Sequence, residues 1–293
     1  MKKTRHKIEY ITIKSLIFTL NLLPFRIALL FGDMIGILAF SVLRIRRKVT
    51  LTNLRNSFAN TYDNYKLKQI GLNAYRNFAK SMIEYGLFPK LKKRDLTEFI
   101  SIDGLEHLIR LRDNKQGAVM VTGHFGSWEL TGAYIATQGF PIDYLVGEQH
   151  NLEINRLMNE HRQLFGIGLI ELGVAARGVF KAVKAGRMVA MLSDQDAGTD
   201  GVVVQFLGRP ASTPKGPAAF ALRTGVPMMF GTIVRQGPKQ KIFLEPPIEY
   251  TETGNKEVDI RNLTQIYTSI LEKYIRKYPD HWFWPHRRWK STT

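Results

Sequence analysis

The run GAVMVTG at residues 117–123 has no charged residue and no polar alternation, and it narrows the fold of this 293-residue chain more than any other feature. A strand that faces water on one side alternates apolar with polar residues, whereas one buried on both faces does not. RMVAMLSD, at 187–194, has the same texture. From residue 99 onward, strand-like and helix-like segments alternate around these two. FISIDG, IDYLVG, GLIEL, VVVQFLG, PMMFGTIVR and KIFLEPP read as strands. The intervening spacing predicts helices over Ser127–Gln138, Leu152–Phe165, Ala175–Lys184 and Pro214–Thr224, then a long one over Glu257–Tyr278. Thr213 is the expected N-cap of the fourth, with Pro214 in its first turn. This rhythm predicts an α/β fold, a largely parallel mixed sheet flanked by helices on both faces.

The first hundred residues differ. Leu51, Leu54 and Phe58, then Leu67, Ile70, Leu72, Tyr75, Phe78, Met82 and Tyr85, recur at helical spacing and predict two helices ending near Gly86 and Pro89. Before them, residues 15–43 are mostly apolar, interrupted by Asn21, Pro24, Arg26 and Asp33. Ile27–Leu43 carries a single charge, Asp33, and approaches the length of a spanning helix. Lys2, Lys3, Arg5, Lys7 and Lys14 precede it, and Arg44, Arg46, Arg47 and Lys48 follow. Charge on both flanks sets no orientation; it suits a membrane-associated helix, as a kinked hairpin or a shallow anchor at the cytoplasmic face. A buried core helix would share the composition. A cleaved leader fits poorly, because the stretch is long and no small-x-small site closes it. The expected organisation is a membrane anchor over 1–45 and one catalytic domain over 46–293.

The net charge of +17 and pI near 10.0 call for an anionic partner. Basic residues clustered beside an apolar run favour an anionic membrane surface, and no nucleic-acid-binding motif is present. The chain has no cysteine, which excludes disulfides, thiolate metal sites and a cysteine acyl-enzyme.

The chemistry concentrates in VTGHFGSWELTG, 121–132. His124 follows the carboxyl end of the apolar strand, where sites gather in open α/β sheets. An imidazole there suits general-base removal of a hydroxyl proton. Glu129, at the start of the next helix, can hold the imidazole tautomer or bind an acceptor. Gly126 permits the tight turn, and free amides at the helix start can receive an oxyanion. A histidine that merely caps the helix is the plain alternative. Asp194 and Asp196, in SDQD, end another buried strand and can orient His124, hold a metal or cap a turn. Arg162 can clamp a phosphate or carbonyl, or be a solvated surface arginine. Thr213, Lys215 and Gly216 open a helix whose N-terminus suits an anion. Arg287 and Arg288, with Trp282, Trp284 and Trp289, form either an interfacial belt or a C-terminal packing strip. His6, His107, His150, His161, His281 and His286 have no comparable setting and are taken as structural.

HFGSWE resembles the H-x-x-x-x-[DE] motif of the glycerolipid and lipid A acyltransferases, in the Glu form of the bacterial lipid A late acyltransferases. GEQHNLEINRLMNEHRQLFG resembles the family stretch that contains an arginine, here Arg162. MLSDQDAGTDGVVVQFLGRPASTPKGPAAFALRTGVPMMF resembles its long third block, and YPDHWFWPHRRWK its closing W-x-W-x-H-x-R-W-K. The apolar segment followed by TNLRNSF also fits. The likeness implies a glycerolipid acyltransferase-like fold and an O-acyltransferase at the cytoplasmic face of the inner membrane. His124 and Glu129 would be catalytic; Arg162, Asp194, Thr213 and Gly216 would bind substrate. No cofactor and no metal are implied. The implied donor is acyl carrier protein, itself acidic, or coenzyme A, and the implied acceptor a lipid A precursor. Phosphatidylinositol mannoside acyltransferases share the pattern, which leaves the acceptor open. A metal-dependent glycosyltransferase using SDQD and a non-catalytic basic lipid-binding protein are the rival readings.

Overall fold

The structure, a computed structural model, describes residues 2–292, with side chains from Thr4 onward; Lys2 and Lys3, counted above among the basic flank, lie outside the described side chains. The chain opens with α1 (Lys2–Leu22), breaks at Pro24, and continues as α2 (Phe25–Ile37) into a π-helical turn, Leu38–Val42. Proline cannot donate the ladder hydrogen bond, which explains a break at that position. Two helices follow, α3 (Arg47–Phe58) and α4 (Asn64–Gly86), then one turn of α5 (Phe88–Leu91). Asp63 caps α4, its carboxylate accepting from the Lys66 amide at 2.7 Å.

The α/β portion runs β1 (Ile100–Asp103), α6 (Leu105–Asp113), β2 (Ala118–Thr122), α7 (Trp128–Thr137), β3 (Ile142–Val146), α8 (Leu152–Leu164), β4 (Gly168–Glu171), α9 (Ala175–Lys184), β5 (Met188–Leu192), β6 (Val202–Phe206), β7 (Arg209–Thr213), α10 (Gly216–Thr224), β8 (Met228–Gln236), β9 (Lys239–Leu244) and α11 (Lys256–Lys277). Among the described residues a seven-stranded sheet has the order β1-β9-β8-β2-β5-β3-β4. Every neighbouring pair is parallel except β8–β9, so the sheet is mixed and largely parallel, as expected.

The central strand explains its own sequence. Val119 and Val121 join one core layer, with residues of α9, α10 and α11; Ala118 and Met120 join the other, with residues of α6 and α7. Side chains alternate faces along a strand, so a strand covered on both sides is apolar throughout. β2 and β5 pair in register up to Thr122 and Leu192. The chain therefore leaves both strands at one edge, and residues two beyond each end, His124 and Asp194, emerge side by side.

Three expectations need correction. Thr213 does not cap a helix: it is the last residue of β7, paired with Val202, and α10 starts three residues later at Gly216. Pro214, which cannot donate to a ladder, ends the strand rather than opening the helix. The segment VVVQFLG does not enter the main sheet; it forms the β6–β7 hairpin beside it. Helix α6 is an element the sequence reading did not contain. Its LEHLIRLRD is short, and only Leu108 and Leu111 are buried.

The apolar N-terminus is fastened to the domain on one side only. Ala28, Gly32 and Gly36 of α2 are buried. A methyl group on Gly36 would lie 2.5 Å from the Arg76 Cα, so glycine is what lets α2 approach α4 so closely. Asp33, the one charge in the run, pairs with Arg76 and Lys80, both at 2.8 Å. Leu30, Phe31, Met34, Leu38 and Val42 are exposed. Phe25–Val42 has a mean hydropathy of 1.9, and only 22% of it is buried. An exposed apolar patch of this extent marks an interaction surface.

Candidate active site

The loop from Gly123 to Ser127 carries His124 and is held from two sides. From the C-terminus, Phe125 and Trp282 form an antiparallel bridge, the Phe283 amide donates to the His124 carbonyl at 3.0 Å, and the Gly126 amide to the His281 carbonyl at 2.8 Å. From α4, Ser81 donates to the Gly126 carbonyl at 3.0 Å. Gly126 has φ +58°, and a Cβ there would sit 2.1 Å from the Ile233 carbonyl oxygen, so both conformation and space require glycine. Ser127 does not cap α7; its hydroxyl donates to buried Glu84, which also accepts from Arg235 and Gln240. The Ser127 carbonyl accepts from the Leu130 and Thr131 amides at 2.9 and 3.2 Å, while its side chain leaves the earlier amides of α7, those of Trp128 and Glu129, uncapped.

His124 Nδ1 lies 2.7 Å from Asp194 Oδ1. Asp194 Oδ2 accepts from the His124 amide at 2.9 Å and from the Trp282 indole at 2.8 Å. Asp194 is buried, and burial opposes its charge, but His124 and these donors hold its carboxyl down to about 2. It is therefore ionised and fixes the tautomer: Nδ1 keeps its proton and Nε2 offers a lone pair. Nε2 faces the Gln195 amide at 3.5 Å. Burial disfavours the imidazolium, yet Asp194, with a smaller contribution from Glu129, outweighs it and holds His124 above its ordinary value. The arrangement is that of a general base with its orienting carboxylate.

Glu129 does not meet His124 through a hydrogen bond. Arg162 reaches across from α8 and grips it bidentately, Nη2 to Oε1 at 2.6 Å and Nε to Oε2 at 3.1 Å. Nη1 donates to Asn159 at 3.0 Å. The guanidinium lies over the rings of Tyr85 and Tyr144 and is largely buried, which sets aside the solvated-surface alternative. A guanidinium has five N–H donors; three have partners among the described residues, so two remain for a ligand.

His124, Glu129 and Arg162 all line one cavity of about 640 Å³ that continues between α7 and the sheet past Ile135, Ile142 and Tyr144. Its lining is mostly apolar, with a few polar side chains, among them His124, Glu129 and Arg162, as in sites for largely apolar ligands. Gly216 and Lys215 also line it.

The other expected residues fall elsewhere. Thr213 is fully buried and accepts from Arg288, which also donates to the Ser212 carbonyl, so its hydroxyl is committed to the fold. The two SDQD carboxylates diverge: Asp196 binds Ser291, and its amide donates to His286, away from Asp194. Among the described residues no group of three His, Asp or Glu is placed to hold a metal. Trp282, Trp284, Trp289 and Arg288 are buried, so the closing segment is a packing strip and only Arg287 and Lys290 face solvent. Trp282 is the site residue that sequence reasoning missed. Its signal, the W-x-W spacing after a basic helix, reads equally as packing.

Residues 1–291 match the family profile described as bacterial lipid A biosynthesis acyltransferase. The chain is similar to the lipid A biosynthesis palmitoleoyltransferase of Escherichia coli K12, 25% identical over 281 residues, covering 92% of this chain and 87% of that one. The lauroyltransferase of the same organism is 24% identical over 285 residues with the same two coverages. A phosphatidylinositol mannoside acyltransferase of Mycolicibacterium smegmatis is 23% identical over 217 residues, 73% of this chain and 70% of that one.

Proposed function

The chain belongs to the bacterial lipid A biosynthesis acyltransferase family, and from that premise we propose that it transfers a fatty acyl group from a carrier thioester to a hydroxyl of a lipid A precursor. The observation that carries the reading is His124 on the wall of a largely apolar cavity, with Nδ1 locked on Asp194 and Nε2 met only by the Gln195 amide at 3.5 Å. Nε2 takes the acceptor hydroxyl proton as the oxygen attacks the thioester carbonyl. The tetrahedral oxyanion receives the two remaining Arg162 donors and the Trp128 and Glu129 amides at the start of α7. The C–S bond then breaks, and the thiolate recovers its proton from His124. Glu129 serves by holding Arg162 in place and keeping its charge balanced. Asp194 is a positioning residue, not a ligand of the substrate. Gly216 and Lys215 contribute the anion-favouring start of α10 to the cavity rim.

Acyl carrier protein is the proposed donor, since an acidic protein would be drawn to a chain of charge +17. Lipid A precursor is preferred to a phosphatidylinositol mannoside because the likeness to the lipid A enzymes runs over more of the chain. Residues 1–45 serve as the membrane anchor and 46–293 as the acyltransferase domain. The exposed face of α2 rests in the cytoplasmic leaflet of the inner membrane, bringing the site to its acceptor.

The test is to incubate purified protein with acyl carrier protein thioesters and a panel of glycolipids, and to weigh the products. Acyl addition to a lipid A precursor supports the reading; addition only to a mannoside changes the acceptor, and no addition to any glycolipid removes it.

A further inference from the structure

A groove between α9 and α10 starts at the rim of the active-site cavity and leads away from it. Both helices begin at the cavity, where Ala175 and Gly216 line it, and Phe220 lines cavity and groove alike. The groove encloses about 610 Å³ and carries Arg177, Lys181, Lys184 and Arg223. All four are exposed, and Phe180 between them is 43% exposed. Among the described residues none of the four has an ion-pair partner. Two other surface helices of this chain, α8 and α11, set an acid four residues from the cation, in Arg156–Glu160 and Arg276–Glu272. Helix α9, AARGVFKAVK, contains no acid, and its cations fall at i, i+4 and i+7, one stripe of like charge that weakens the isolated helix.

A cationic stripe with an apolar centre, opening onto a catalytic cavity, is complementary to an acidic amphipathic helix. From Ala175 to Lys184 the groove runs roughly 13 Å at ~1.5 Å per residue, a span suited to a helix rather than to one phosphate. The membrane is a poorer fit, because α9 and α10 pack in the core layer opposite the one that receives α1 and α2.

We propose that the α9–α10 groove is where the acidic acyl-carrying protein docks, its helix along the cations and its thioester passing Phe220 and Ala175 toward His124. The proposal rests on the acyl-transfer reading above and adds the donor's docking surface to it.

The experiment uses the full-length double variant Arg177→Glu, Lys181→Glu and three donors: an acyl carrier protein thioester, acyl-CoA and acyl-pantetheine. With the carrier, KM should rise about tenfold or more and the salt dependence of kcat/KM should flatten, as loss of rim charge predicts. Turnover with acyl-pantetheine and pelleting with phosphatidylglycerol vesicles should stay as in the unaltered protein. An unchanged KM for the carrier overturns the proposal. So does an equal rise with acyl-CoA, which would make this a nucleotide site, and so does loss of vesicle binding, which would make it a lipid site. If the thermal midpoint shows misfolding, Arg177→Gln with Lys181→Gln is read instead, with the same signs expected. Failure of the unaltered protein to transfer from any donor would count against the acyl-transfer reading itself.

Discussion

Asp194, beyond the end of β5, and Glu129, in the first turn of α7, are both buried and both held by a basic side chain, yet their partners differ in kind. Asp194 pairs with a histidine that can lose its proton; Glu129 pairs with an arginine that cannot. The first pair sets a tautomer and a basicity. The second fixes a permanent charge in place on the cavity wall. Sequence spacing ties His124 to Glu129, while the fold ties His124 to a residue seventy positions away. The difference shows that a motif can record two neighbours of one substrate rather than two partners of one another.

The largest effect should come from the base. His124→Ala removes the proton acceptor, so kcat should fall ~100-fold to ~10,000-fold, with the fold retained because Asp194 keeps the residue-124 amide and the Trp282 indole as donors. Turnover close to that of the unaltered enzyme would dissolve the comparison, since neither carboxylate would then serve a base.

Arg162→Lys comes next. Lysine keeps the charge but loses the fork that grips Glu129 with two donors. A loss of ~1.5–3 kcal/mol in transition-state stabilisation is expected, the range for hydrogen bonds to charged groups. If Arg162 meets the developing oxyanion, kcat carries the loss; a rise in KM alone would make it a ground-state phosphate clamp. An unchanged kcat/KM with a normal midpoint would strike Arg162 from the site.

Trp282→Phe should act more gently. It removes one of the two donors to Asp194 Oδ2 and leaves the other, the His124 amide, in place, along with His124 Nδ1 on Oδ1. A kcat loss of about tenfold is expected, near the ~1.5 kcal/mol lower bound for a charge-assisted bond. No change in kcat would show that the strap holds Asp194 by packing alone.

The smallest effect on chemistry should come from the membrane face. Deleting residues 1–45 would uncover the α4 surface that Gly32 and Gly36 now cover, so point changes are cleaner. Leu30→Glu with Met34→Glu should reduce membrane pelleting and turnover of bilayer-embedded acceptor, and leave hydrolysis of a soluble acyl thioester as it was. Unaltered pelleting would place the membrane contact elsewhere.

The sheet was legible because strands buried on both faces are apolar at every position, and β2 and β5 could be read by eye. His124 was legible because a histidine past such a strand has few structural reasons to be there. The pairing of His124 with Asp194 was open in the sequence, since strand order is not written in local pattern: β5 lies beside β2 although two strands intervene in the chain. Thr213 misled for a local reason, because T-P before an apolar helix reads as a cap whether or not a strand comes first. Arg162 stayed open between a clamp and a surface residue on its own pattern, because only its helix was visible, not the tyrosines of α4 and β3 beside it.

The division of labour between the two carboxylates is tested most directly by the acid limb of the kcat/KM–pH profile. The base works when neutral, and Asp194 holds His124 above 6.5, so activity should rise with pH through a midpoint above 6.5. In Asp194→Asn the countercharge is gone while burial remains, so the limb should move to lower pH as the maximal rate falls. In Glu129→Gln, whose contribution to His124 is the smaller one, the rate should fall with the limb nearly in place. A limb that moved with Glu129→Gln and stayed fixed with Asp194→Asn would contradict the account.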